Sequence, residues 1–140
     1  MKLKNVYESE LFVETLYELL KQRSSDHSIS HQTLPSFSEH MAFVKSNPYR
    51  YWYIVEVDGA KGGSVYITEN NEIGLFLLPD FVRYQTDVLG LLITTHSPLP
   101  AVKSKRVAAF SVNANPSNTT LISSILAAGG RHVQNTYLLD

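Results

Sequence analysis

Between Tyr51 and Leu78 three runs of strand-forming residues follow one another, separated by turn signals too short to hold anything but hairpins. From Tyr51 to Val57 the residues are aromatic or β-branched almost without interruption, and Asp58-Gly59 supplies the turn. A second run, Ser64 to Thr68, leads through Glu69-Asn70-Asn71 into a third, Glu72 to Leu78. This order predicts an antiparallel meander of three strands, and any fold proposed for the chain must contain it.

The flanking segments read as helices and further strands. Leu3 to Val6 is a short first strand, and Ser9 caps a helix ending at Arg23, in which Val13, Leu16, Tyr17 and Leu20 form the apolar stripe while Glu14, Glu18 and Lys21 face outward. The polar run SSDHSISHQTLP is a loop by composition. Ser36 with Glu39 makes a capping box that opens a second helix through Phe43 and Val44, stopped by Asn47-Pro48. Beyond the meander, Val88 to His96 reads as an apolar helix, broken by Ser97-Pro98-Leu99-Pro100, and Val107 to Val112 as a buried strand. Asn115 is expected to cap a helix with Pro116 at its first position and Gly129-Gly130 at its end, and Val133 to Leu139 to form the last strand.

Composition narrows the classes of function. At 140 residues with 44% hydrophobic content the chain is sized for one domain, 1–140, with one core. A net charge of -1 lacks the basic footprint of a phosphate-backbone binder, so nucleic acid is not an expected partner. No apolar run reaches the roughly 20 residues of a membrane span, and MKLKNVYESE has no apolar signal core, so no membrane partner and a cytoplasmic location are expected. With no cysteine, disulfides, thiolate metal sites and a Cys nucleophile are excluded for this sequence.

The order β-α-α-β-β-β-α-β-α-β implies an α/β fold with helices on both faces of one mixed, largely antiparallel central sheet. It resembles the GNAT (GCN5-related) N-acetyltransferase superfamily from about Leu3 to Leu139. Glu72-Ile73-Gly74 entering Phe76-Leu77-Leu78-Pro79 looks like the family's central fourth strand, whose backbone meets the pantetheine arm of acetyl-CoA. Asn113 and Asn118, at the start of the late helix, resemble the polar residues near that arm, and Gln134-Asn135-Thr136-Tyr137 looks like the closing strand. The resemblance implies an acetyl-CoA-dependent N-acetyltransferase acting on a small amine, such as an amino sugar.

One part of the pattern departs. The family places Gln or Arg, two residues, Gly, one residue, then Gly or Ala after the fourth strand, so that backbone N–H groups cradle the diphosphate. Here Arg83-Tyr84-Gln85-Thr86-Asp87-Val88-Leu89-Gly90 stands there. Starting at Arg83 puts Thr86 and Val88 at the glycine positions, and starting at Gln85 puts Val88 and Gly90 there. Branched side chains resist positive φ and hold a phosphate off the backbone, and Asp87 adds a like charge. Arg83 and the free amides of the helix N-terminus partly compensate, which leaves the segment Arg83 to Val88 as an altered cradle.

For the general base that takes the amine proton, the resemblance points to Glu72; the plainer reading is a solvated carboxylate beside the Asn70-Asn71 turn. The family's thiolate-protonating Tyr on the late helix falls at Ile125, so that acid is missing, and Tyr137 on the last strand is the substitute candidate, with packing as the plainer role. His27 and His31, with His40, either line an acceptor pocket or are surface histidines; their loop spacing does not suit a metal, and no metal is expected. Tyr49, Tyr51, Trp52 and Tyr53 read as a surface for stacking on a sugar or base, with core packing the plainer role expected for at least half of them. Lys103, Lys105 and Arg106 read as a CoA 3′-phosphate contact or a solvated basic turn. Two alternatives stand beside acetyl transfer: an inactive GNAT-like domain serving as a binding or regulatory module, and a structural subunit that forms a homodimer by strand or sheet contacts.

Overall fold

A computed structural model describes residues 1–23 and 34–140. Five strands form one open sheet in the order β1-β2-β3-β4-β5: β1 Lys2–Asn5, β2 Tyr51–Val57, β3 Ala60–Ile67, β4 Glu72–Leu77 and β5 Ser111–Val112. The first three pairings are antiparallel, and β4 with β5 is parallel. Four α-helices accompany them among the described residues: α1 Glu10–Gln22, α2 Phe37–Lys45, α3 Gln85–Thr95 and α4 Thr119–Ala127. The chain is therefore a mixed α/β protein with a mostly antiparallel sheet.

The meander forms as its residues dictate. Asp58 and Gly59 have φ of 50° and 81°, both positive as a two-residue hairpin requires, and join Val57 to its partner Ala60. β3 begins earlier than the β-branched run suggests, because Gly62 and Gly63 belong to it. Their lack of a side chain is structural: a methyl group at Gly62 would overlap the Phe81 ring, and one at Gly63 the Phe76 carbonyl.

Strand alternation sends side chains to two cores. Val55, Val57, Val65, Ile67, Ile73 and Leu77 face α3, whose Val88, Leu89 and Leu92 complete that cluster, with Ile125 of α4 packed against it. Trp52 and Ile54 face the other way, onto Val13, Leu16 and Leu19 of α1 and Val44 of α2. Helices thus cover both faces of the sheet. In α1 the buried stripe runs Val13, Leu16, Leu19; Tyr17 and Leu20, expected in it, are half-buried on its flank. Ser9 caps α1 by accepting from the Leu11 amide, and Ser36 and Glu39 form the complete capping box of α2.

Three expectations from sequence are corrected. Val107 to Val112 is not one strand: only Ser111 and Val112 pair, while Val107 is exposed. The cause is Asn71, whose side-chain amide donates to the carbonyls of Leu99 and Val107 at 3.0 and 2.9 Å and whose Oδ1 accepts from the Leu99 amide at 2.7 Å, pulling the connection into a loop. Helix α4 is capped by Asn118, not Asn115; Asn115 instead accepts from the Ser117 amide and hydroxyl in the turn that contains Pro116. The segment Val133 to Leu139 is not a strand, and residues 131–140 lie outside the sheet, where a two-residue β5 offers little edge to template them.

Candidate functional site

Beyond its pairing with β5, strand β4 continues alone. The parallel ladder joins Glu72 to Ser111 and Ile73 to Val112 and stops there, while β4 runs on to Leu77. Backbone direction alternates along β4: the Glu72 carbonyl accepts from the Thr68 amide and the Leu78 amide donates to the Gly62 carbonyl, so these residues bond inward to β3. Leu75 and Leu77 are of opposite parity, so their peptide groups lie on the outer edge and have no strand partner among the described residues. The two strands thus part like a fork.

Side chains of three elements meet at its mouth. The Asn113 amide, just past β5, donates to a Glu72 carboxylate oxygen at 2.9 Å. The Thr68 hydroxyl accepts from the Glu72 amide at 3.1 Å and fixes the turn that presents the carboxylate. On the same face, Tyr66 of β3 stacks on Tyr49 with ring centroids 3.9 Å apart, and Trp52 lies edge-on to both. Gly74 leaves room for this stack, since a methyl group there would overlap the Tyr66 ring. Phe76, the next residue on that face, lies under the Arg23 guanidinium at 5.7 Å. Burial, then the neighbouring Tyr66 and Tyr7 hydroxyls and the Glu72 charge, raise the Tyr49 pKa strongly above its ordinary value. Tyr49 therefore keeps its phenolic proton at physiological pH. The arrangement combines one oriented carboxylate with an open peptide edge, and the same sheet face carries the aromatic stack.

The residues expected at a site are distributed unevenly. Glu72 and Asn113 meet, and Phe76 lies on the face that Glu72 shares. Leu77 turns its side chain into the α3 core and its backbone to the outer edge, and Leu78 packs half-buried on the opposite side. Asn118 is occupied as the cap of α4, accepting from the Leu121 amide at 3.2 Å. Tyr137 is 81% exposed and contributes nothing to the fork. His40 is buried, its Nε2 within 3.2 Å of the Val13 carbonyl, so it is a core residue and lines no open surface. His27 and His31 lie outside the described residues. Arg106 spends its guanidinium on the carbonyls of Pro100 and Glu69, at 2.8 and 2.9 Å, while Lys103 and Lys105 are exposed. Among the described residues no group of three His, Asp or Glu is placed to hold a metal.

The segment expected to cradle a diphosphate is helical throughout. Pro79–Tyr84 is a 3-10 helix that runs directly into α3, with the Gln85 amide donating to the Val82 carbonyl. No residue between Pro79 and Val88 has positive φ, so successive N–H groups do not converge on a common point. Val88 is fully buried in the core, Gln85 is buried and accepts from the Ser124 hydroxyl at 3.2 Å, and Arg83 lies over the Tyr84 ring at 5.0 Å, with its guanidinium 3.3 Å from the Tyr84 hydroxyl. Thr86 is half-buried and Asp87 exposed in the first turn of α3. Residues 79–88 therefore form no glycine-lined nest of the kind the resemblance implies.

Tyr66 is the residue that sequence reasoning missed; Tyr49 was named only within an aromatic series and Gly74 only within the β4 motif, and neither was joined to the site. The signal was present: once the Glu69-Asn70-Asn71 turn fixes register, Tyr66 pairs with Gly74, and period-two alternation places both on the Glu72 face. An open hollow of about 330 Å³ lies elsewhere, lined by Tyr7, Glu10, Val13, Met41 and Lys45 among others, and none of the fork residues borders it. No family model, no curated protein and no solved structure matches the chain.

Proposed function

We propose that the chain is a GNAT-type N-acetyltransferase domain that uses acetyl-CoA to acetylate a small amine, with an amino sugar as the first class to examine. The observation that carries this reading is the fork, where an oriented carboxylate stands beside an unpaired strand edge. Glu72 takes the proton that the amine loses, and Asn113 holds the carboxylate in place through one oxygen. The peptide groups of Leu75 and Leu77 offer hydrogen bonds to an extended amide-bearing arm, as a missing strand would. Acetyl-CoA supplies the activated acetyl thioester, and no step is assigned to its diphosphate.

A second reading is favoured by one specific observation, the unbroken 3-10 segment Pro79–Tyr84. Under it the domain has lost catalysis and serves as a binding or regulatory module. Thiol release from acetyl-CoA in the presence of an amine panel separates the two. The chain has no cysteine, so it adds no background to a thiol-reactive dye. Amine-dependent thiol release that Glu72→Gln abolishes supports acetyl transfer; no release with any amine supports the binding module.

A further inference from the structure

The start of α1 lies beside the end of α2, and the chain turns sharply at both. Val6–Glu8 is a single 3-10 turn in which the Asn5 side chain accepts from the Tyr7 amide, and Ser9 then caps α1. After α2, Asn47 takes φ of 52° and its amide donates to the Val44 carbonyl at 3.1 Å, which turns the chain back toward Tyr7. The Tyr7 hydroxyl locks this return by donating to the Tyr49 carbonyl at 3.0 Å and accepting from the Tyr49 amide at 3.2 Å. Between the two turns lies the open hollow of about 330 Å³, at the small end of the range for small-molecule sites.

The lining is divided by chemistry. Val6, Val13 and Val44 are buried beneath it, and Tyr7 and Met41 stand half-buried at its side. Because Tyr49 takes up the Tyr7 hydroxyl, Tyr7 has only its ring to offer. At the rim stand Glu8 and Glu10 from the α1 side and Lys45 from α2. Lys45 Nζ is 3.9 Å from a Glu10 carboxylate oxygen, beyond the about 2.7–2.9 Å of a charge-assisted hydrogen bond, and the two side chains are 66% and 78% exposed. Such a pair contributes little and yields readily to better partners. Two carboxylates against one ammonium leave the rim negative, so a simple anion is disfavoured, while a simple amine would be repelled by Lys45. A zwitterion satisfies both sides, and an α-amino acid carries its two charges on one carbon, close enough together to enter between groups 3.9 Å apart.

We infer that this hollow binds a free α-amino acid with an aliphatic side chain, its ammonium on Glu10, its carboxylate on Lys45 and its side chain against Met41 and the buried valines. The site is independent of the acetyl-transfer reading, since none of the fork residues borders it. Trp52, the sole tryptophan, lies edge-on to Tyr7 at 6.3 Å and reports on the hollow by its fluorescence. Titrating the full chain with L-leucine is expected to change that emission and to give heat, with Kd on the order of 10⁻³ M. Isoamylamine, which lacks the carboxylate, and isocaproate, which lacks the ammonium, should each bind roughly tenfold more weakly, the effect of losing one charge-assisted hydrogen bond. L-leucine should lose affinity to the same extent for Glu10→Gln and for Lys45→Met, whose exposed positions leave the melting of the chain unchanged. No signal with L-leucine, L-valine or L-methionine at about 10 mM overturns the inference. So does an affinity for isoamylamine or isocaproate equal to that for L-leucine, or L-leucine binding left unchanged in both variants.

Discussion

Tyr49 and Tyr66 lie face to face at 3.9 Å, although Tyr49 precedes β2 and Tyr66 sits within β3. The stack exists because Gly74, opposite Tyr66 in the β3–β4 ladder, has no side chain to displace the ring. Replacing Gly74 by Ala is expected to push Tyr66 out of the stack and to cost about 1–3 kcal/mol through overpacking. Chemical denaturation and near-ultraviolet circular dichroism check it; an unchanged midpoint together with an unchanged aromatic signal would show that the ring has room to spare.

Asn71 is expected to be among the most sensitive positions in the chain. It is fully buried, holds φ at 64°, and its side chain makes three hydrogen bonds to the backbone of Leu99 and Val107. Asn71→Ala strands those partners and forces a left-handed conformation on alanine, for a loss of roughly 2–4 kcal/mol. Asn71→Gly relieves the conformational cost alone and should lie between alanine and the parent chain. Equal midpoints for all three would refute the role given to this side chain.

Stability should fall as the medium becomes acidic, in part through two histidines. Burial lowers the pKa of His40, opposed in part by the Val13 carbonyl; burial, aided by the Arg50 charge, lowers that of His96, whose ring stacks on Tyr51 at 3.8 Å. A His whose folded pKa is depressed stays neutral in the fold while the unfolded chain already binds a proton. Its contribution is complete above the unfolded value of about 6.5, declines as pH drops through that value, and levels off below the folded one. Urea midpoints at about pH 7.5 and pH 5 should therefore differ less for a His40→Gln variant than for the parent chain. An identical difference would remove His40 from the account.

Glu72→Gln tests the proposed base without disturbing the fold. The carboxylate is half-buried, and an amide of the same shape can still accept from Asn113. The variant should melt like the parent chain while its amine-dependent turnover falls by about 10²–10⁴-fold, the usual contribution of a general base. Turnover within a few-fold of the parent across the pH range would take Glu72 out of the mechanism.

The meander, the caps of α1 and α2 and the two-sided sheet were legible in the sequence because each rests on local chemistry: Asp58-Gly59, Ser9, the Ser36–Glu39 box, and alternation along β2. What was not legible depends on distant partners. Nothing near Val107 announces that Asn71, 36 positions away, takes its carbonyl and ends the strand expected there. Pro116 after Asn115 looks like a helix start, yet Asn118 wins because its side chain reaches the Leu121 amide. Gly62 and Gly63, left outside the expected run Ser64 to Thr68, belong to β3, where a side chain at either would meet Phe81 or β4. At the candidate site, Glu72 and Asn113 were found as separate residues, whereas the Tyr49–Tyr66 stack required the register of two hairpins. The altered glycine positions after Pro79 were visible, but the continuous helical path was not, because Val88 and Gln85 are held by α4 and the core.

Calorimetric titration of the full chain with acetyl-CoA, with desulfo-CoA as the control for the thioester end, tests the central proposal most directly. The fork reading predicts saturable heat at sub-millimolar ligand, weaker than a glycine-lined diphosphate cradle would give, with Kd near about 10⁻⁴ M, or roughly 5 kcal/mol of binding free energy. No heat and no thermal shift at millimolar acetyl-CoA would contradict it and leave the domain as a binding module whose partner is not a coenzyme A thioester.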